Sequence, residues 1–342
     1  MKQFILLLIL GCWSYLFANG QKAAVNSQQF FLDDFPINVT LTTNLKNLIK
    51  EKDKPAYQVA HIQMLFSDTV AIEGDIRVMP RGEYRRKYCD LASLMLNFKN
   101  PSSPLLSPLQ KLKLVSTCRN GKIYNDLVLK EFVAYKIYNF ITNMSFRVRL
   151  LYITFKDSEG KMKDVSNYAF LIEDTDDLAD RNNCIEIKDR DFLTAATNRE
   201  QTSIVNIFQY MIGNTDWSIP NYHNIKLLLP KNDTLAKPYA VGYDFDYAGL
   251  VDASYAVPAK ELGIESVRDR SYRGFSRGYD ELLSTITIFK EKKESIYYYI
   301  NHFEYLSDKG KKAVINYLDA FYDIVKERST IEHVFIRNAR IE

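Results

Sequence analysis

The apolar period is mainly that of strands in the first half of this chain and mainly that of helices in the second, and that shift limits the fold more than any other feature. Val70, Ile72, Ile76 and Val78 alternate with polar or small residues, the period of a half-buried strand. Arg81-Gly82-Glu83 reads as a turn, and Leu91 to Phe98 is a second apolar run. Pro101 to Pro108 is a proline- and serine-rich connection, and Leu112 to Val115 is a short strand. Asn125 and Asp126 offer an N-cap to a helix ending near Thr142. Phe146, Val148, Leu150 and Tyr152 then share a strand face, and Asp157-Ser158-Glu159-Gly160 turns that strand into Tyr168 to Ile172. Beyond this point the spacing becomes helical. Ile204, Ile207, Phe208, Met211 and Ile212 fall on one helix face, with Gly213 at the C-cap position. A short hairpin follows, Ile225 to Leu229 and Tyr239 to Tyr243, and after it an arginine-rich loop and mostly helix. Ser307-Asp308 caps a helix carrying Val314, Leu318, Phe321 and Tyr322. Sheet first and helices second predicts an α+β chain in two lobes.

Composition supports a large core and narrows the function. The 342 residues are 46% hydrophobic with only 13 Gly and 10 Pro, and the formal net charge is +3. That charge predicts neither nucleic-acid binding nor an acidic tail. Lys2, the apolar run Phe4 to Leu10 and the small residues Ala18-Asn19-Gly20 have the order of a cleavable secretory signal. The exported chain is then periplasmic or extracellular; a rival reading takes Ile9-Leu10-Gly11-Cys12 as a lipid-attachment box with Cys12 as the anchor. No later stretch has the length and apolarity of a membrane span. The expected organisation is a signal peptide over 1–20, a strand-rich extension over 21–66, and lobes over 67–173 and 174–342. Export permits disulfides, and Cys89, Cys118 and Cys184 allow a single bridge in any pairing.

Two acidic and amide clusters flank the short hairpin. Gly213-Asn214-Thr215-Asp216-Trp217 precedes it, with Asn221 and Asn224 closing the loop, and Tyr243-Asp244-Phe245-Asp246 follows it. The ends of a hairpin meet, so Asp216, an asparagine and Asp244 are expected at one point. Such a set orients a hydroxyl and holds Mg2+ against phosphates. Glu131 lies in an apolar helical arc with Leu127 and Tyr135 one turn either side, so if buried it needs a cationic partner. Lys113, on the preceding strand, is the natural candidate.

The motifs Arg81-Gly82-Glu83-Tyr84-Arg85-Arg86, Leu112-Lys113-Leu114-Val115-Ser116, Leu129-Lys130-Glu131, Ala169-Phe170-Leu171-Ile172-Glu173, Gly213-Asn214-Thr215-Asp216-Trp217 and Tyr243-Asp244-Phe245-Asp246 resemble the CotH-like kinase family. The resemblance runs from about Val70 to Val325. It implies a two-lobed protein-kinase-like fold with a strand-rich N-lobe and a mainly helical C-lobe. It also implies ATP with Mg2+ or Mn2+ as cofactor and a phosphoryl acceptor, a surface protein among the candidates. On that resemblance Asp216 is the catalytic aspartate, Asp244 and Asn224 hold the metal with Asn221 as competitor, and Lys113 and Glu131 form the phosphate-positioning pair, with Lys99 and Arg86 as rival cations. Glu173 falls at the hinge. The chain departs from the pattern in having no glycine-rich loop and no His-Arg before Asp216, which also suits a pseudokinase-like binding module. Gly274-Phe275-Ser276-Arg277-Gly278 matches a hydrolase elbow, but the charged stretch Arg268 to Arg273 before it is no buried strand.

Overall fold

The computed structural model describes residues 24–67, 70–188, 192–233 and 235–341. The expected export signal over 1–20, with Cys12, lies outside the described residues.

A short helix α1 (Ser27–Phe30) leads into β1 (Ile37–Thr43), α2 (Leu45–Lys50) and the long hairpin β2 (Gln58–Ser67) and β3 (Val70–Arg81). Helix α3 (Glu83–Tyr88), β4 (Ser93–Asn97) and β5 (Lys111–Val115) come next, then the 20-residue helix α4 (Lys122–Ile141) and the hairpin β6 (Val148–Asp157) and β7 (Val165–Ile172). The seven strands close into a barrel in the order β1-β2-β3-β4-β5-β7-β6, and the parallel pairing of β1 with β6 makes the seam. Alternation explains the interior. Ala60, Ile62 and Met64 of β2 and Ile72, Ile76 and Val78 of β3 are buried while His61, Gln63, Glu73, Asp75 and Arg77 are exposed, as strands with one wet face require.

β6 and β7 depart from that alternation for a physical reason. Leu151, Ile153 and Leu171 fill the barrel, while Leu150, Val148, Phe170 and Ile172 on the opposite face pack against the helical half of the molecule. Helix α4 lies against this outer face and is buried nearly all round, with Phe132, Tyr135 and Tyr138 fully enclosed. Burying a side chain of that size stabilises the fold by about 1.5–3 kcal/mol. The second half adds α5 (Thr175–Arg181), β8 (Cys184–Ile187), α6 (Arg199–Ile212), the hairpin β9 (Ile225–Pro230) and β10 (Tyr239–Gly242), and then α7 (Tyr279–His302), α8 (Asp308–Ile324) and α9 (Arg328–Glu332). β8, β9 and β10 form a separate three-stranded antiparallel sheet.

The closed barrel corrects the fold expected from the resemblance. A two-lobed kinase-like architecture has an open N-lobe sheet, whereas here β1 and β2 wrap round and join β6, so the sheet has no free edge. The CotH-like resemblance therefore does not carry over as a fold. Within the range expected as an extension, 21–66, Ile37–Thr43 form β1 and residues 58–66 form all but the last residue of β2. Helix α4 begins at Lys122, before the expected caps, because those side chains are engaged elsewhere: Asn125 Oδ1 accepts from the Tyr168 N–H (2.8 Å) and Asp126 from Ser307 Oγ (2.5 Å). Cys89 and Cys118 form a disulfide that ties the end of α3 to the β5–α4 connection, and Cys184 is a buried free thiol. No helix among the described residues is long and apolar enough to cross a membrane.

Candidate functional site

The loop after α6 is built by its own side chains. Gly213 ends the helix in the left-handed region (φ +66°), and the buried Asn214 accepts the Asp216 N–H on its Oδ1 (3.0 Å). Ser218 and His223 then exchange two backbone hydrogen bonds across the loop (2.9 and 3.0 Å). That turn carries His223 Nε2 to 2.8 Å from Asp216 Oδ1. Asn224, at φ +52°, donates its amide to both the carboxylate (3.0 Å) and the carbonyl (2.8 Å) of Asp216. Its own carbonyl accepts from the Tyr243 N–H (3.0 Å), fastening the loop to the end of β10. Asp244 follows at φ +65°, a left-handed conformation uncommon for a residue with a side chain, and its N–H donates to the Tyr135 hydroxyl of α4 (2.8 Å).

Asn224 is thus hydrogen-bonded to Asp216, and its carbonyl bonds the backbone one residue before Asp244. Of the two asparagines, Asn224 is the one bonded to Asp216. Asn221 is exposed, and its N–H meets the Ser218 hydroxyl at 3.4 Å.

Glu131 is paired with Arg85 of α3 (3.3 Å), not with Lys113. Arg85 also reaches Asp246 (3.3 Å) and donates to the Ser116 carbonyl (2.7 Å), and the Tyr255 hydroxyl donates to Asp246 (3.0 Å). One guanidinium thus serves two buried carboxylates. Burial is the main reason both carboxyls titrate high, Asp246 at about 6; Asp244 pushes Asp246 up further, and Asp246 and Asp244 push Glu131 up. Burial opposes the charge on Arg85 as well, but Tyr255, Asp246, Glu131 and Asp244 together hold it protonated beyond its ordinary range.

Lys113 occupies a different position. It lies on the outer face of β5, opposite Met95 of β4 and Ile172 of β7, with its ammonium 4.4 Å from the centre of the Tyr243 ring. Among the described residues no carboxylate stands within 4.0 Å of that ammonium. Burial pushes its pKa down to about 8, Arg81 at the end of β3 and Lys226 of β9 push the same way, and Asp244 and Asp174 oppose them. Lys226 is bonded to Glu186 (2.7 Å). The rival cations lie elsewhere: Arg86 donates to the Lys52 and Asp53 carbonyls, and Lys99 is exposed.

Glu173 is enclosed by internal partners, Arg181 (2.9 and 3.0 Å) and the Arg147 N–H (3.0 Å). The arginines of the long loop are likewise used within the fold. Arg270 donates to the carbonyls of Tyr210, Met211 and Tyr317, Arg273 to that of Thr215, and Arg268 pairs with Asp252 (3.0 Å). Ser276 sits beside the chain end, its N–H donated to the Arg340 carbonyl (2.8 Å), not on a strand-to-helix elbow.

Arg81, Arg85, Lys226, Asp246 and Tyr255 are the participants that sequence reasoning did not assign. Arg81, Arg85 and Asp246 stood inside the quoted motifs, whereas Lys226 and Tyr255 had no motif to mark them. No group of three or more His, Cys, Asp or Glu side chains able to hold a metal ion occurs among the described residues. The closed barrel overturns the kinase reading, in its active form as a transferase and in its pseudokinase form, because both rest on the open two-lobed architecture. In comparisons with known proteins, no family model and no curated protein matches this chain.

Proposed function

We propose that this protein binds a phosphate-bearing small molecule where the outer face of β5 meets the β8–β10 sheet. The observation that carries the reading is the half-buried ammonium of Lys113, packed on the Tyr243 ring beside two further cations, with no carboxylate among the described residues in salt-bridge contact. A partly desolvated ammonium without a contacting counter-charge is disfavoured, and an anion seated among Lys113, Arg81 and Lys226 relieves that cost. Lysine meets phosphate as a point charge and arginine with its planar fork, so the two types together suit a dianionic group. Asp244 and the Asp216–His223–Asn224 cluster supply hydrogen-bond acceptors and donors for the organic part of the ligand. Asp244 and Asn224 hold strained backbone conformations at this point, as residues at binding sites often do. No transfer step is assigned to the site. The Cys89–Cys118 disulfide supports work in an oxidising compartment outside the cytoplasm.

Isothermal titration with pyrophosphate tests the reading, with ATP run beside it in the presence and absence of Mn2+. The expected result is saturable pyrophosphate binding that weakens at least about tenfold in Lys113→Met. It should also weaken as pH rises above about 8, where Lys113 loses its proton. Binding that Lys113→Met leaves unchanged, or no binding at all by a folded wild type, overturns the proposal.

A further inference from the structure

The phosphate reading leaves an aromatic groove on another face unexplained. A cavity of about 880 Å3 lies between the C-terminal part of α7 with its following turn, Phe140 of α4, and the Asp34-Phe35 segment ahead of β1. That volume is in the range of small-molecule sites. Seven Phe and Tyr rings line it, and among the described residues lining it none is Lys or Arg. Two rings are displayed rather than buried: Tyr298 is 66% exposed and Phe35 73%. Tyr298 is also held flat, stacked on His302 at 3.9 Å between centroids, while the His302 Nδ1 position lies 2.8 Å from the Tyr298 carbonyl.

The polar groups of the groove indicate the charge of its occupant. Glu294 and Glu304 are exposed and make no salt bridge within 4.0 Å among the described residues, whereas Asp34 is already neutralised by Lys136 at 2.5 Å. The Tyr299 hydroxyl is buried in the groove wall with no hydrogen-bond partner among the described residues, and it feels the field of the lining residues Asp34 and Tyr305. Two of the chain's own ammoniums rest on rings of the same wall, Lys293 over Tyr297 (5.1 Å) and Lys136 over Tyr299 (5.9 Å). Aromatic faces carry negative potential and attract cations, most strongly when carboxylates stand near. A neutral sugar would stack on the same rings but would gain nothing from the charge of the two glutamates.

We infer that this groove binds a small organic cation, a quaternary ammonium or a protonated amine, with the exposed Tyr298 ring and the Glu304 carboxylate as its principal contacts. The site is separate from the phosphate cleft and stands or falls independently of it.

Titration calorimetry with choline, and with its neutral isostere 3,3-dimethylbutan-1-ol, tests the inference. Choline should bind saturably and the isostere at least about threefold more weakly, the share expected of a cation–π contact. Tyr298→Ala and Glu304→Gln, both at exposed positions and checked for folding by circular dichroism, should each weaken choline roughly threefold to tenfold. Lys113→Met should leave choline binding intact, and Tyr298→Ala should leave pyrophosphate binding intact. Equal binding of the isostere, no saturation by roughly 10 mM choline, or binding of a neutral oligosaccharide in place of choline overturns the inference.

Discussion

At the scale of single residues, the buried trio of Arg85, Glu131 and Asp246 dominates. One cation shared by two carboxylates leaves the site short of positive charge, and removing that cation leaves two buried acids facing each other. Arg85→Met should therefore lower stability by roughly 3–5 kcal/mol, with part recovered in Arg85→Met/Glu131→Gln, as urea unfolding would show. A variant as stable as wild type would mean that both acids are protonated in the folded protein at neutral pH. The same trio sets a pH dependence. Asp246 titrates near 6 in the folded chain against an ordinary value of 3.8, so the folded state holds this proton more tightly than the unfolded state. Its contribution is fully present below about pH 4 and is lost as pH rises through about 6. In Asp246→Asn this loss should vanish, so the stability difference between variant and wild type should widen in the variant's favour from pH 4 to pH 7. A constant difference would contradict the assignment. Burial of Glu131 was legible from its apolar arc, but its partner was not, because Arg85 lies on a helix placed by the barrel and the disulfide.

Among the elements, α6 was the most legible and is the most instructive. Its 3.6-residue spacing and terminal glycine mark it in the sequence, and the structure gives it Arg199–Ile212 with Gly213 left-handed at the cap. What the sequence does not carry is why that glycine cannot be replaced. A Cβ at Gly213 would collide with the Tyr317 hydroxyl of α8, so the position has both a conformational and a packing requirement. Gly213→Ala should cost at least about 2 kcal/mol in thermal or urea unfolding, combining left-handed strain with the clash. Adding Tyr317→Phe should return part of it; no recovery would place the whole cost in the backbone. The boundary of α4 was misread for a related reason. Asn125 and Asp126 look like caps by residue type, yet their oxygens serve β7 and the segment before α8, which lie more than 40 residues away. The Asp216–Asn224 contact, by contrast, is local, and Asn224 in turn bonds the Tyr243 backbone beside Asp244.

For the whole molecule, the strand pattern showed which residues face inward but not which strands become neighbours. An alternating run has the same appearance in an open lobe and in a closed barrel, and the seam joins β1 to β6 across more than 100 residues. The kinase-like expectation failed at this point. The motifs it used are short and local, and the closure that overturns it is long-range. β1 is consequently a central strand with neighbours on both sides: Thr40 is opposite Gln63 of β2 and Thr154 of β6. Its inward residues Ile37, Val39 and Leu41 belong to the barrel core. Proline at an inner strand position removes a ladder donor and fixes φ where the sheet does not want it. Thr40→Pro changes an outward, half-exposed side chain, so its effect isolates the backbone seam from core packing. The expected cost is at least about 2 kcal/mol in urea unfolding. Opening the seam would also expose unpaired edges on β2 and β6, and such edges template association between chains. Size-exclusion chromatography should then show concentration-dependent oligomers that the wild type lacks. If Thr40→Pro melts with the wild type and stays in its oligomeric state, β1 is an appendage rather than a stave, and the sheet of this protein is open after all.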